Sequence, residues 1–489
     1  MLLGILLLLR GLLLAGAGCA SAPADTLLRP LRPSPSIAPA DTLVRVLPCP
    51  GTARAAVARV VFAGNAITKE RILRAELDFR EGDTLTLVEL PTRLEANRRR
   101  LFNLQLFHGV VVQASCTGSS WLIVFGVQER LYTFPVPILS LADRNLRSWL
   151  DRPDRWRRID YGLHLTRANF RGRNEQVIAN LQLGFNRKYE LFYEVPGVGR
   201  YRRLGFGVGA SYFQSRTLDY RTTADRLTPL RADDGFPIQR FYATAGLRFR
   251  HTVQFRTAFD VSYHREQISD SVNYYNPDYF LGRTQREFVD FTLSSTRNQR
   301  NTFAYPLTGQ YAQVSLTHRV FFDTTTPSIT TLRASYSRYL ALGHQFYYSL
   351  GLTGQARLAR TLGYPDTRAL GYDDLVRGYD EYVIDGRHYG LVQQGLSYRL
   401  FAPKTIRLGS IDNPKVNAIP IALYGNIFAD AGYVVAPATI PQNRLPNHFL
   451  RAVGLGLHLV TYYDRVFTAE YTLNGLSQTG YFFRAEFPI

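Results

Sequence analysis

The chain has 489 residues, with 58 Lys+Arg against 39 Asp+Glu, a formal charge of +19 and 46% hydrophobic residues. Its mean hydropathy of −0.14 excludes a polytopic helical membrane protein, which needs several runs of about 20 apolar residues. Its 30 Tyr and 30 Phe exclude a mainly disordered chain. The positive charge is dispersed and almost wholly Arg, with lysine only at Lys69, Lys188, Lys404 and Lys415. That pattern favours an anionic surface or a charged lumen over a nucleic-acid stripe.

Residues 1–22 read as a signal peptide: Met1 to Gly18 is apolar apart from Arg10, and small residues follow. Cys19 after Gly18 marks a candidate lipoprotein cleavage site, and Ala20-Ser21-Ala22 an ordinary one. Residues 23–55 form a Pro-rich tether in which Pro-Ala-Asp-Thr-Leu occurs at 23–27 and 39–43. Such a segment favours extended conformations and buries no core. In an oxidising compartment Cys49 and Cys116 can pair; two unpaired thiols fit the sequence equally well.

Residues 56–131 predict a small α+β domain in the order β-α-α-β-β. Val57–Phe62 is a β-branched run ending at Gly64-Asn65, a turn signal. Thr68 is placed to cap a helix from Lys69 to Leu77, with Ile72, Leu73 and Leu77 on one face. Leu101, Leu104 and Phe107 have helical spacing in a second segment, beyond a break at Glu81-Gly82-Asp83. Strands at Val110–Ala114 and Trp121–Val127 follow, turned by Thr117-Gly118-Ser119. In order and spacing, Gly64-Asn65, Leu77-x-Phe79 with Gly82-Asp83, Leu104-x-Leu106-Phe107 and Val127-x-Glu129 resemble a polypeptide-transport-associated (POTRA) domain. The resemblance implies a sheet edge that binds extended client segments by strand addition.

Residues 132–158 read as a linker, and 159–489 as a transmembrane antiparallel β-barrel. Phe206, Val208, Ala210 and Tyr212 alternate with Gly205, Gly207, Gly209 and Ser211. Leu247 and Phe249 likewise alternate with Arg248 and Arg250, and Val453, Leu455, Leu457 and Leu459 with Gly454, Gly456 and His458. Segments of about ten residues with this period fit tilted strands crossing a bilayer, apolar side to lipid and polar side to a wet lumen. About fifteen such segments are counted from Asp160 onward; even strand numbers make sixteen, with the missing one sought near Arg216 to Leu227. The first strand is placed at Tyr161–Asn169 and the last at Gly480–Phe487. Tyr481, Phe483 and Phe487 share a face that is similar to the C-terminal insertion signal of outer-membrane barrels, ending on Ile489 instead of an aromatic.

No Gly-x-Ser-x-Gly, His-Glu-x-x-His, Gly-x-x-x-x-Gly-Lys or Cys-x-x-Cys motif occurs, so the expected function is non-enzymatic and without cofactor or metal. The informative stretch is Val376-Arg377-Gly378-Tyr379 in a long loop, followed by Phe428-x-Asp430-x-Gly432. Together with Asn169-Phe170-x-Gly172 and Pro306-Leu307-Thr308-Gly309, these resemble the BamA/TamA superfamily of outer-membrane assembly and translocation barrels. The resemblance implies that the loop folds into the lumen, where Arg377 pairs with Asp430 and Gly378 permits the tight tip.

It further implies an outer-membrane location with the N-terminal domain in the periplasm. Expected partners are outer-membrane lipid and lipopolysaccharide, unfolded client polypeptides, and periplasmic or inner-membrane assembly proteins, but no nucleic acid. Client capture by strand addition, with delivery to a seam between first and last strands, is the expected mechanism. The alternatives are a pore dedicated to one secreted partner, a passive anion-favouring pore, or a barrel-embedded phospholipase.

Overall fold

The computed structural model describes residues 44–47, 54–141, 155–199, 202–232, 235–303, 305–407, 418–436, 443–461 and 465–486. Cys19, Cys49 and Phe487, with the signal peptide and most of the tether, lie outside the described residues.

Near the N-terminus, a five-stranded sheet runs in the order Val44–Val46, Phe107–Thr117, Ser120–Glu129, Arg54–Ala63, Thr84–Thr86. In Ser120–Glu129 every second residue is buried, as a strand with one covered face requires. The cover is Glu70–Arg74 and Leu90–Phe102, whose Leu73, Leu90, Leu94 and Leu101 join Trp121, Ile123, Phe125 and Val127 in one core. Each such buried side chain contributes about 1.5–3 kcal/mol.

Local expectations fail here in three places. The second helix ends at Phe102, and Phe107 opens a strand. Thr68 does not cap a helix: its hydroxyl donates to Glu129 Oε1 at 2.7 Å and accepts from Asn169 Nδ2 at 2.9 Å. The stretch read as tether supplies the parallel edge strand Val44–Val46.

The rest forms one sixteen-stranded antiparallel meander from Thr133–Leu141 to Thr479–Glu486. Alternation sorts its faces: Leu247, Phe259, Leu293 and Leu316 are exposed on the outer wall, while Arg248 reaches Asp260 at 2.7 Å on the inner one. Two expectations are corrected. The supposed linker contains the first strand, Thr133–Leu141, whose nine residues pair with Ile159 to Arg167. Thr217–Thr223 and Arg226–Arg231 form a separate hairpin outside the large sheet. Pro135 and Pro137 hid the first strand, since proline is excluded from central strands and admitted at edges. Tyr161 therefore sits on the second strand, opposite Leu139.

The small domain covers one rim of the meander. The Lys69 N–H donates to Gly172 O at 2.9 Å in the turn after Ile159–Phe170. Gly172 has φ 71°, and a Cβ there would lie 2.1 Å from Ile67 O, so only glycine allows this approach. Asn103 Nδ2 donates to Arg300 O at 3.4 Å on the same rim. Buried Glu76 accepts from Arg250 Nη1 at 2.7 Å. Longer connections, with described residues 216–232, 235–237, 269–284, 359–387 and 443–448, lie at the far rim.

Candidate functional site

The loop at residues 359–387 folds into the lumen. Within it Arg368–Leu370 pairs with Ile384–Asp385. Leu370, Val376, Tyr379 and Ile384 are buried against Leu391, Val434, Leu450 and Ala452, so apolar burial holds the loop against one inner wall. Burial also pushes the Asp385 carboxyl, which accepts from the Tyr372 hydroxyl at 2.8 Å, above the usual carboxylate range.

The loop tip carries the charge contacts. Arg377 donates to Asp430 through Nε at 2.8 Å to Oδ2 and Nη2 at 2.6 Å to Oδ1, and the Arg377 backbone N–H adds a third bond at 3.2 Å. Its guanidinium lies 3.7 Å from the centroid of the Phe428 ring. The Asp430 side chain is wholly buried. Paired, bidentate and stacked, this is the geometry in which an Arg–carboxylate contact is strongest.

Gly378 has φ 87°, its N–H donates to Asp380 Oδ2 at 3.0 Å, and its carbonyl accepts from Asn474 Nδ2 at 2.9 Å. Gly432 lets Val376 and Leu370 pack: a Cβ there would sit 2.7 Å from Val376 Cγ2. All seven motif residues, Val376 to Tyr379 with Phe428, Asp430 and Gly432, thus converge in one place.

Several partners have no motif to announce them. Glu470 lies 3.5 Å from Arg377 Nη1 and 3.6 Å from His458 Nε2. Arg484, on the last strand, pairs with both Glu470 and Asp380. A charge chain therefore runs from Asp430 through Arg377, Glu470 and Arg484 back to the loop at Asp380. The loop base holds the opposite wall: Asp366 accepts from Arg286 and Arg319 at 2.6 Å each, and Arg333 reaches Asp374 at 2.7 Å. The outward alternation at Tyr481 and Phe483 makes Arg484 an inward residue, and that was its only signal.

The remaining candidates stand apart. Tyr161, Tyr481 and Phe483 are exposed on the outer wall. Cys116 is disulfide-bonded. Among the described residues, no group of His, Cys, Asp and Glu is arranged to hold a metal ion, and no pairing joins Thr133–Leu141 to Thr479–Glu486.

The Omp85 superfamily domain profile matches residues 169–459, and the POTRA profile described as surface antigen variable number repeat matches residues 55–130. No curated protein matches the chain. Among solved structures, the chain is similar to BamA from Haemophilus ducreyi lacking POTRA domains 1-3, at 14% identity and TM-score 0.50, over 91% of this chain and 84% of that one. It is similar also to CdiB from Escherichia coli, at 12% identity and TM-score 0.51, over 87% of this chain and 76% of that one. Both likenesses concern the fold.

Proposed function

The chain belongs to the Omp85 superfamily, and from that premise we propose that it captures client chains by strand addition and helps insert or export β-barrel or surface proteins. Its barrel lies in the outer membrane, with the POTRA domain in the periplasm. In broad terms the family places it in outer-membrane assembly or translocation; the strand-addition mechanism is our reading.

The observation that carries this reading is the seam. A sheet in lipid must satisfy its backbone groups internally, yet the edges Thr133–Leu141 and Thr479–Glu486 are unpaired among the described residues. The two edges are also unequal. Ala168 N donates to Tyr132 O at 2.7 Å, so even-numbered residues of the first strand direct their amides to the second strand and odd-numbered ones face the seam. Pro135 and Pro137 are odd-numbered, and the first edge lacks donors at both. The last strand, Thr479–Glu486, has no proline, and its edge keeps a full set of donors and acceptors. In our reading a client strand pairs with the last strand, while the proline edge resists reclosure. Arg484 ties that last strand to Glu470 and to Asp380 of the lumen loop, giving the template a fixed inner wall.

The test is quantitative outer-membrane proteomics after depletion of the protein. Joint loss of several barrels or surface proteins supports assembly. Loss of one secreted protein alone points to dedicated translocation, and an unchanged membrane overturns both.

A further inference from the structure

Beneath the base of the lumen loop lies a cavity of 270 Å³ whose wall includes Arg240, Arg286, Arg319, Arg357, Arg368 and Asp366. These arginines come from the far-rim ends of their strands and from the loop, so the cavity lies toward the outside of the cell. Its lining carries five guanidinium groups and two carboxylates, Glu266 and Asp366, while Asp290 pairs with Arg319 from behind and Asp385 lies opposite Arg368 in the loop hairpin.

The carboxylate oxygens are already engaged. Arg286 holds Glu266 Oε2 at 2.7 Å and Asp366 Oδ2 at 2.6 Å. Arg319 holds both oxygens of Asp290, at 2.8 and 2.9 Å, and Asp366 Oδ1 at 2.6 Å. The remaining Glu266 oxygen lies 3.3 Å from Arg240 Nε, with no aligned hydrogen bond.

That leaves Arg357 with no carboxylate in ion-pair contact, and Arg368 with only Asp385 opposite it in the loop hairpin, whose carboxyl is held by Tyr372 and pushed up by burial. Arg357 makes only long contacts to backbone carbonyls, at 3.4 Å to Arg368 O and 3.5 Å to Gly386 O. Arg368 stacks on Tyr372 at 5.1 Å, and its buried Nε has no partner. Shielded charge requires a counter-charge or a pKa shift, and a guanidinium does not deprotonate in proteins. Five guanidinium groups thus outnumber the carboxylates that reach them, and an anion in the cavity would balance the excess.

We infer that this cavity is a binding site for a phosphoryl oxyanion. Arg240, Arg357 and Arg368 line the cavity from separate elements, the last from a lumen loop and the others from two strands. Several oxygens on one centre match such forks better than a single halide does. A second cavity of 340 Å³ shares Arg286 and Asp366 as walls and reaches Phe321 and Phe322, room beside the site for what bears the phosphate. Free phosphate and a phosphorylated saccharide headgroup of the outer leaflet share this chemistry. The inference stands on lumen geometry and does not depend on the strand-addition mechanism.

The experiment is calorimetric titration of the full-length protein, folded in a zwitterionic detergent, with inorganic phosphate and then with chloride at equal ionic strength. Saturable heat with phosphate and none with chloride is the expected result. Arg357→Gln with Arg368→Gln should weaken phosphate binding at least tenfold, while Arg265→Gln, whose side chain is largely exposed and pairs with Glu287, leaves it unchanged. Equal binding of chloride, or undiminished phosphate binding by the double variant, overturns the site. Should the double variant not fold, the comparison of phosphate with chloride on the unaltered protein still decides. Tighter binding of a phosphorylated glucosamine than of phosphate identifies the headgroup as the source, and the reverse order identifies the free ion.

Discussion

The Arg377 guanidinium is clamped between the Asp430 carboxylate and the Phe428 ring, with bonds of 2.6 and 2.8 Å on one side and 3.7 Å to the ring centroid on the other. Removing one partner of a buried pair strands the other charge, at about 3–5 kcal/mol. Arg377→Ala and Asp430→Ala should each lower the temperature at which the folded barrel loses its fast gel mobility. Arg377→Lys should recover only part of the loss, because an ammonium cannot form the fork. Full recovery by lysine would show that charge alone suffices.

Gly432 tests the packing side of the same lock. A Cβ there would meet Val376 Cγ2 at 2.7 Å and Leu370 Cδ1 at 2.9 Å, and overpacking of this kind costs about 1–3 kcal/mol. Gly432→Ala should lift the loop off the wall. Limited proteolysis from outside should then cut within residues 359–387 faster than in the unaltered protein, with the barrel core intact. An unchanged cleavage rate would mean that the wall yields instead.

Much of the barrel was legible because a strand between lipid and a wet lumen must alternate, and Leu247, Arg248 and Phe249 do so visibly. Thr133–Leu141 escaped because Pro135 and Pro137 are strand breakers except at an edge, and a sequence does not say which strand is the edge. Val44–Val46 escaped for a similar reason, since its three residues are embedded in Pro-rich chain and gain order from pairing with Val112 to Ala114. Arg377 and Asp430 were named through a resemblance. Glu470, Arg484, Asp366 and Arg319 were not, because pairs formed across a lumen join residues far apart in sequence, and inward arginines are too common to single out. Thr68 looked like a helix cap because caps are a local preference. The tertiary acceptor Glu129 prevailed.

The periplasmic domain should show a defined acid limb. Glu81 Oε1 accepts the Val60 N–H at 2.9 Å and Arg74 Nη1 at 3.2 Å. The Val60 amide above all, with Arg74 adding to it, holds the Glu81 carboxyl below its usual range against a smaller opposing effect of desolvation. A carboxylate with a lowered folded pKa contributes stability above its unfolded value and loses it as pH falls through the folded one. Stability measured by denaturant unfolding and followed by buried Trp121, with Trp149 and Trp156 replaced by Phe, should therefore fall as pH drops below the ordinary glutamate range. Glu81→Gln should flatten that limb. An identical limb in the variant would assign it to other carboxylates.

The proline edge gives the most direct test of the seam. Pro135→Ala with Pro137→Ala restores two seam-facing N–H donors without altering the pairing of Thr133–Leu141 to the second strand, which uses the even-numbered amides. Each restored bond contributes about 0.5–1.5 kcal/mol net, so two should favour closure by about fivefold to a hundredfold. Hydrogen exchange of a peptide spanning Thr479–Glu486 should slow by a similar factor, and client insertion should slow with it. Each single variant should give an intermediate effect. Unchanged exchange in the double variant would show that the prolines do not govern closure. Slower exchange with unimpaired insertion would separate seam closure from the activity and remove the seam as the route of client entry.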